Sequence, residues 1–288
     1  MRPTFSVWAQ YLLPQRLLGA LVYRLARCTW PAVKNPLIRW FVGHYAIDLD
    51  EAERSDPESY ESFNAFFTRR LKAGARPIAE DERTVISPVD GYLTQFGAAR
   101  DGELIQAKGL SYRVEELLGE PRGGVDGPSM GSYATLYLAP SQYHRVHLPL
   151  AATLNRTRYI PGKRFSVNRS TASAIPRLFC RNERVVCWFD TRTGPLVMVL
   201  VGALNVSSIT TSWLGEIKSG EPRLWHDDPA AQHRYGRGAE IGQFNLGSTV
   251  ILLLPPARLT WRAELEAGQL IKMGEALGEL ESETDSRA

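Results

Sequence analysis

The stretch "FNLGSTVILLL", residues 244–254, joins a break to a core element. Val250, Ile251 and Leu252–Leu254 form an uninterrupted apolar run of strand length, which predicts a buried β-strand. Immediately before it stand Gly247, Ser248 and Thr249, small and polar. Gly and Ser are turn formers, so the triplet reads as a tight turn ahead of a strand. It also reads as a chemical centre, with the Ser248 hydroxyl as nucleophile. The two readings place the same residue at the mouth of the same strand.

Moving outward, similar runs recur from Pro77 onward. "TVISPVDGYLTQFG", "YATLYLAP", "VVCWFD" and "PLVMVLVGAL" are short, rich in β-branched and aromatic residues, and separated by Gly and Pro. They predict a mostly antiparallel, β-rich catalytic domain over 77–288. "RGGVDGPSMG" (122–131) reads as a loop or hairpin tip, and "WHDDPAAQHRYGRGAEIG" (225–242) as a long polar connection. "SPVDGYL" and "LEAGQLIKMGEALGEL" suggest hairpins of a lipoyl-like β-sandwich or barrel element.

Residues 1–76 have a different character and predict an N-terminal helical, membrane-associating region. Residues 10–28 have helical periodicity, with Leu17, Leu18, Leu21, Val22 and Leu25 on one face and Arg16, Arg24 and Arg27 on the other. "NPLIRWFVGHYAI" adds Trp40, Phe41 and Tyr45, residue types that favour membrane interfaces. No Asp or Glu occurs before Asp48, while Arg2, Arg16, Arg24, Arg27, Lys34 and Arg39 all precede it. A basic amphipathic segment of this kind fits an anionic membrane surface. It also fits a pair of surface helices packed on the protein's own core. A third helix is predicted over 57–76, from Pro57 in its first turn to Gly74 at its stop. The fold class is therefore α+β, with amphipathic helices ahead of the β-rich domain.

Bulk properties exclude several alternatives. Apolar residues make up 44 % and charged residues 23 %, ample for a core, and the net charge is only +3. That balance and the lack of a recognition motif argue against nucleic acid as a partner. Cys28, Cys180 and Cys187 have neither zinc spacing nor a disulfide pattern, so no metal site is expected and a reducing compartment is. No signal peptide is evident. The apolar stretch 196–204 is too short to span a bilayer, which requires about 20 residues.

The chain has five histidines, two of them in "SQYHRVHLPL". His144 and His147 are spaced i, i+3, which suits a short turn or one helical turn between Pro140 and Pro149. A metal pair and two structural histidines are both compatible with that spacing. His226 and His233 fall in the polar connection and read as solvated. Asp90 precedes Gly91, ordinarily a turn signal. In chain order Asp90, His147 and Ser248 offer an acid, a base and a nucleophile, the components of a triad. The G-x-S-x-G elbow of α/β-hydrolases is absent around Ser248. A serine hydrolase using Asp90, His147 and Ser248 stays open, as does a non-catalytic lipid-binding β-sandwich.

"FNLGSTVILL", "YHRVHLPL", "SPVDG", "FNAFFTRRLKAGARPI" and "FSVN" (165–168) together resemble the pyruvoyl-dependent phosphatidylserine decarboxylase proenzymes, over about residues 10 to 280 and with the motifs placed along the chain in the same order as in that family. The chain departs at "VGALNVSSI", with Ser207 where that family usually has Gly. The resemblance implies self-cleavage without water at Gly247–Ser248. Ser248 Oγ would attack the Gly247 carbonyl, with His147 as base and Asp90 orienting it. Elimination would leave a large chain, 1–247, and a small chain, 248–288, held as a heterodimer, with further oligomerisation open. The residue left at 248 would become a pyruvoyl group, a covalent cofactor able to form a Schiff base with the amine of phosphatidylserine. His144 would position substrate or protonate the new carbanion. The enzyme would work at the cytoplasmic face of the cell membrane as a peripheral protein.

Overall fold

The protein is described by a computed structural model covering residues 10–11, 14–121, 130–204, 208–227, 232–254 and 259–281. Ser207 and most of the 122–131 loop lie outside the described residues. The architecture is α+β, and every pairing between its strands is antiparallel.

The strand Ser248–Leu254 lies in the interior of a nine-stranded sheet. It is flanked by Gly194–Gly202 and Ser132–Leu138, and all seven of its residues are buried. Side chains alternate across a strand, so its two faces enter different cores. Val250, Leu252 and Leu254 join Leu136, Leu138, Met198 and Leu200 on one side. Ile251 and Leu253 join Tyr133, Val197, Val199 and Val201 on the other. This double burial explains the apolar run: no position along it faces water.

A four-stranded sheet covers the first face. Its order is Gly215–Ile217, Ser208–Thr211, Glu240–Asn245, Arg145–His147, and it contributes Val146, Ile209, Ile241 and Phe244 to the core beneath. The short helices Val114–Leu118 and Leu178–Arg181 close the second face through Leu117, Leu118, Leu178 and Phe179. The chain leaves the small sheet at Asn245 and enters the large one at Ser248. Only Leu246 and Gly247 make this crossing. The two stretches that suggested a lipoyl-type element are divided between sheets: Gly91–Ala98 and Gln269–Ile271 pair in the large sheet, and Ala276–Leu280 pairs with Thr84–Ile86 in a three-stranded one.

Near the N-terminus, helices span Gln15–Ala26 and Pro31–Tyr45. The single helix predicted over 57–76 is not formed. Pro57–Ser59 is one 3₁₀ turn, the chain then extends, and a five-residue helix, Phe63–Phe67, begins where the Ser62 hydroxyl accepts from the Ala65 amide. Beyond Thr68 the backbone pairs with 51–53 across an Ala52–Leu71 bridge. That long-range pairing, unreadable from local periodicity, overrides the helical pattern. Phe41, Tyr60, Phe63, Phe66 and Phe67 stack into an aromatic cluster that also takes in Leu246. Burying each such ring contributes roughly 2 kcal/mol. No helix among the described residues is long and apolar enough to cross a membrane.

Candidate active site

The crossing between sheets is conformationally demanding. Leu246 has φ of 90° and Gly247 has φ of 55°. Left-handed backbone is easy for glycine but costs a residue with a Cβ about 1 kcal/mol or more. Leu246 is held there because its side chain is buried in the aromatic cluster. Asn245, just upstream, is clamped as well: its amide nitrogen donates to Ser208 Oγ (2.9 Å) and Thr210 Oγ1 (3.0 Å), and its Oδ1 accepts from Asn64 Nδ2 (3.1 Å). Downstream, Ser248 is in register with Leu138 and Gly202 of both neighbouring strands. Two fixed ends thus hold a strained two-residue link. Ser248 itself is fully buried, and among the described residues its hydroxyl has no hydrogen-bond partner.

"SQYHRVHLPL" forms a turn at 140–142 and then the strand Arg145–His147, rather than a helical turn. Pairing with Glu240–Gln243 makes the strand. His144 sits just ahead of it, where its carbonyl accepts from the Phe244 amide at 3.0 Å. Its ring packs on Phe67, with centroids 4.0 Å apart. Nδ1 lies 2.8 Å from the Gln142 carbonyl, which can only accept, so Nδ1 carries the proton. Nε2 therefore presents a lone pair, and it is buried without a partner among the described residues. Burial pushes this imidazole down to about 3, with the nearby Arg69 charge adding to the effect. It is neutral at physiological pH.

His147 is held in the same tautomer. Nδ1 donates to the Gly238 carbonyl (2.9 Å), and Nε2 accepts from the Tyr143 hydroxyl (3.0 Å). Burial lowers its proton affinity too, against smaller upward effects from the Gly238 bond and from the charges of Glu240 and Asp90. Gly238 has φ of 78°, and a Cβ there would strike the Ile78 side chain. The carbonyl that orients the His147 ring therefore depends on glycine.

These contacts revise the expected order of the triad. Asp90 does not hold the His147 ring directly. Its carboxylate accepts Arg76 Nε (2.9 Å) and Nη2 (2.5 Å), and also the Met273 amide (2.8 Å). The guanidinium fork matches a carboxylate with two charge-assisted bonds. The imidazole nitrogens are already occupied by Gly238 and Tyr143. Asp90 reaches His147 only through its field. Nor does His147 bond to Ser248, because Tyr143 stands at Nε2. His144 and His147 lie on the same short segment, which pairs with Glu240–Asn245: His144 bonds to Phe244, two residues before Leu246, whereas His147 is in register with Glu240. Away from this region, His226 is exposed on the strand Arg223–His226, and His233 pairs with Asp227 at 2.5 Å. The polar connection is thus partly structured at the edge of the large sheet.

Sequence reasoning missed Tyr143, Arg76 and Arg69. All three lie inside the quoted motifs. Their roles depend on burial and on contacts across the fold, which spacing does not encode.

A buried serine after a left-handed glycine, joined to a segment that carries two neutral histidines and lacking the hydrolase elbow, offers the parts of a serine-centred site. The phosphatidylserine decarboxylase family model matches residues 63–279, and a second model, described as PSD, matches residues 5–46. The chain is 46 % identical over 282 residues to the phosphatidylserine decarboxylase proenzyme of Ectopseudomonas mendocina, covering 96 % of this chain and 99 % of that one. It is 47 % identical over 272 residues to the proenzyme of Methylococcus capsulatus, covering 93 % and 94 %. It is also 47 % identical over 276 residues to that of Pseudomonas aeruginosa, covering 94 % and 95 %. The chain belongs to the phosphatidylserine decarboxylase family, a family of carboxy-lyases. The serine hydrolase alternative has no support from these relatives, and neither does a non-catalytic lipid-binding sandwich.

Proposed function

We propose that this protein decarboxylates phosphatidylserine to phosphatidylethanolamine and carbon dioxide, after cutting its own chain between Gly247 and Ser248. The observation that carries the proposal is the Leu246–Gly247–Ser248 link: two left-handed residues pinned at both ends, beside a buried hydroxyl that bonds to nothing.

In the cut, Ser248 Oγ adds to the Gly247 carbonyl, and its proton goes to a base. His147 is neutral, and its Nε2 lone pair, which accepts from the Tyr143 hydroxyl, is the site that would take the proton once that bond is released. Asp90, neutralised by Arg76, supports this arrangement by fixing the loop beneath it rather than by touching the ring. The peptide C–N bond gives way to an ester, and β-elimination releases the Gly247 carboxylate and leaves a dehydroalanine at 248, whose enamine tautomerises to an imine that one water hydrolyses to the ketone and ammonia. The products are chains 1–247 and 248–288, held as a heterodimer because the strand after the cut is paired on both sides.

A pyruvoyl group at residue 248 would supply an electrophilic carbonyl for the substrate amine and a sink for the electron pair released with carbon dioxide. The site suits it: residue 248 is buried, unpaired and flanked by apolar surface. His144 Nε2 is a free acceptor in neutral form. This favours its positioning the substrate through an N–H over delivering a proton as an acid.

Residues 1–76 serve as the lipid-facing region and 77–288 as the catalytic one, at the cytoplasmic face of the cell membrane. Leu17, Leu21 and Leu25 project from one helix, 71 %, 65 % and 45 % exposed, while Val22 and Ala26 turn inward to the aromatic cluster. Trp30 and Trp40 are exposed as well. A row of solvated leucines flanked by tryptophans fits a membrane interface. Leu17→Ser with Leu21→Ser should reduce sedimentation with anionic vesicles severalfold; unchanged sedimentation removes the helix from the membrane contact. The activity itself is tested by release of labelled carbon dioxide from carboxyl-labelled phosphatidylserine. The wild-type protein should release it and Ser248→Ala should not. Equal release by the two proteins would refute the reading.

A further inference from the structure

Arg69 is a buried cation with idle nitrogens. It is 6 % exposed, and among the described residues its Nε and Nη1 are buried without a hydrogen-bond partner. Nη2 donates to the Ser141 carbonyl at 3.2 Å, and the guanidinium carbon stands 5.4 Å from the centre of the Phe66 ring. The obvious carboxylates are committed elsewhere: Asp90 and Glu51 both bond to Arg76. A guanidinium taken from water without an anion is costly, and folding alone does not explain its retention.

Its position is informative. Arg69 follows Phe67, whose ring lies on His144, and Thr68, whose carbonyl accepts Arg145 Nε at 2.9 Å. Phe67 and Leu246 share one cluster. Arg69, His144 and Ser248 are thus three buried side chains at one end of the sheet crossing, each with a polar atom that bonds to nothing.

We propose that Arg69 binds the phosphate diester of the phospholipid headgroup, holding the seryl amine and carboxylate toward residue 248. This rests on the decarboxylase reading above, and substrate entry follows the cut, which frees Leu246 and Gly247 from the strand behind them. The substrate offers two anions, and physical chemistry separates them. The carboxylate loses its charge as carbon dioxide leaves, so an arginine on it would stabilise the ground state and oppose the reaction. The phosphate keeps its charge throughout. An arginine on the phosphate contributes equally to ground and transition states, which lowers KM and leaves kcat little changed.

The test uses the processed enzyme and a soluble short-chain phosphatidylserine, so that vesicle binding does not enter. Arg69→Met should split into two chains, raise KM about tenfold to hundredfold, and change kcat by less than about threefold. Inhibition by glycerophosphoethanolamine, which has the phosphate and amine but no carboxylate, should weaken by a similar factor. Unchanged KM overturns the proposal. A raised KM with unchanged inhibition also overturns it, because Arg69 would then hold the carboxylate. If Arg69→Met does not accumulate, Arg69→Lys carries the comparison, with KM and inhibition both weakened about threefold to tenfold and no change again overturning it. A wild-type chain that neither splits nor releases carbon dioxide would sink the decarboxylase reading itself, a result distinct from any of these.

Discussion

Asp90 and Ser248 are both buried polar side chains from the same motif set, yet their surroundings are opposite. Asp90 is saturated: Arg76 and the Met273 amide fill its oxygens, and Arg76 is tied in turn to Glu51, itself bonded to Lys272. Burial alone would lower the proton affinity of Arg76, but its bonds to Asp90 and Glu51 outweigh that and raise it. Ser248, His144 and Arg69 each keep a buried polar atom with no partner. A satisfied buried network specifies a structure, whereas an unsatisfied one stores capacity for chemistry or ligand binding. The contrast supports an architectural part for Asp90 and, on the proposed function, parts in reaction and substrate binding for the second group.

That contrast can be broken by mutation. The largest stability effect should come from the saturated cluster. In a Ser248→Ala background, which keeps one chain and so a single unfolding transition, Arg76→Met should cost about 3–5 kcal/mol, because it leaves the Asp90 carboxylate buried and unpaired. Denaturant titration reads this, and a change under 1 kcal/mol would contradict the architectural role. Ser248→Ala itself removes a hydroxyl that bonds to nothing, so it should cost little stability.

A smaller effect comes from pH. His144 titrates near 6.5 when unfolded but is pushed down to about 3 by burial when folded, with His147 shifted the same way. The unfolded chain therefore binds protons first as pH falls. The stability conferred by the neutral rings is complete above about 6.5 and is lost below it, for His144 at roughly 1.4 kcal/mol per pH unit. For His144 alone the loss at pH 5 is about 2 kcal/mol. His144→Gln should flatten the pH dependence between 7 and 5 by about that amount. An unchanged slope would mean that the ring is not buried in neutral form.

The elements read most directly from the sequence were those whose pattern is local. The apolar run 250–254 marked an interior strand because both of its faces are covered. The leucine periodicity of 17–25 marked a helix, Gln15–Ala26. The 57–76 helix failed because pairing between Ala52 and Leu71 is a long-range event. Within the site, the scissile dipeptide and both histidines were legible as motif residues. Their partners were not. That His147 holds Tyr143 and Gly238 rather than Asp90 and Ser248 depends on which carbonyls and hydroxyls the sheets bring alongside. Arg69 and Arg76 stand seven residues apart in one quoted motif, and nothing in their spacing says that one is paired and the other idle.

The central claim is that the strained link between the two sheets breaks and converts residue 248. Intact-mass analysis of the purified protein tests it most directly. The account predicts two chains, the smaller spanning 248–288 with a blocked N-terminus, and a single uncut chain for Ser248→Ala. A fully active wild-type protein that runs as one unbroken chain, or a small chain that begins with an ordinary free serine, would contradict it.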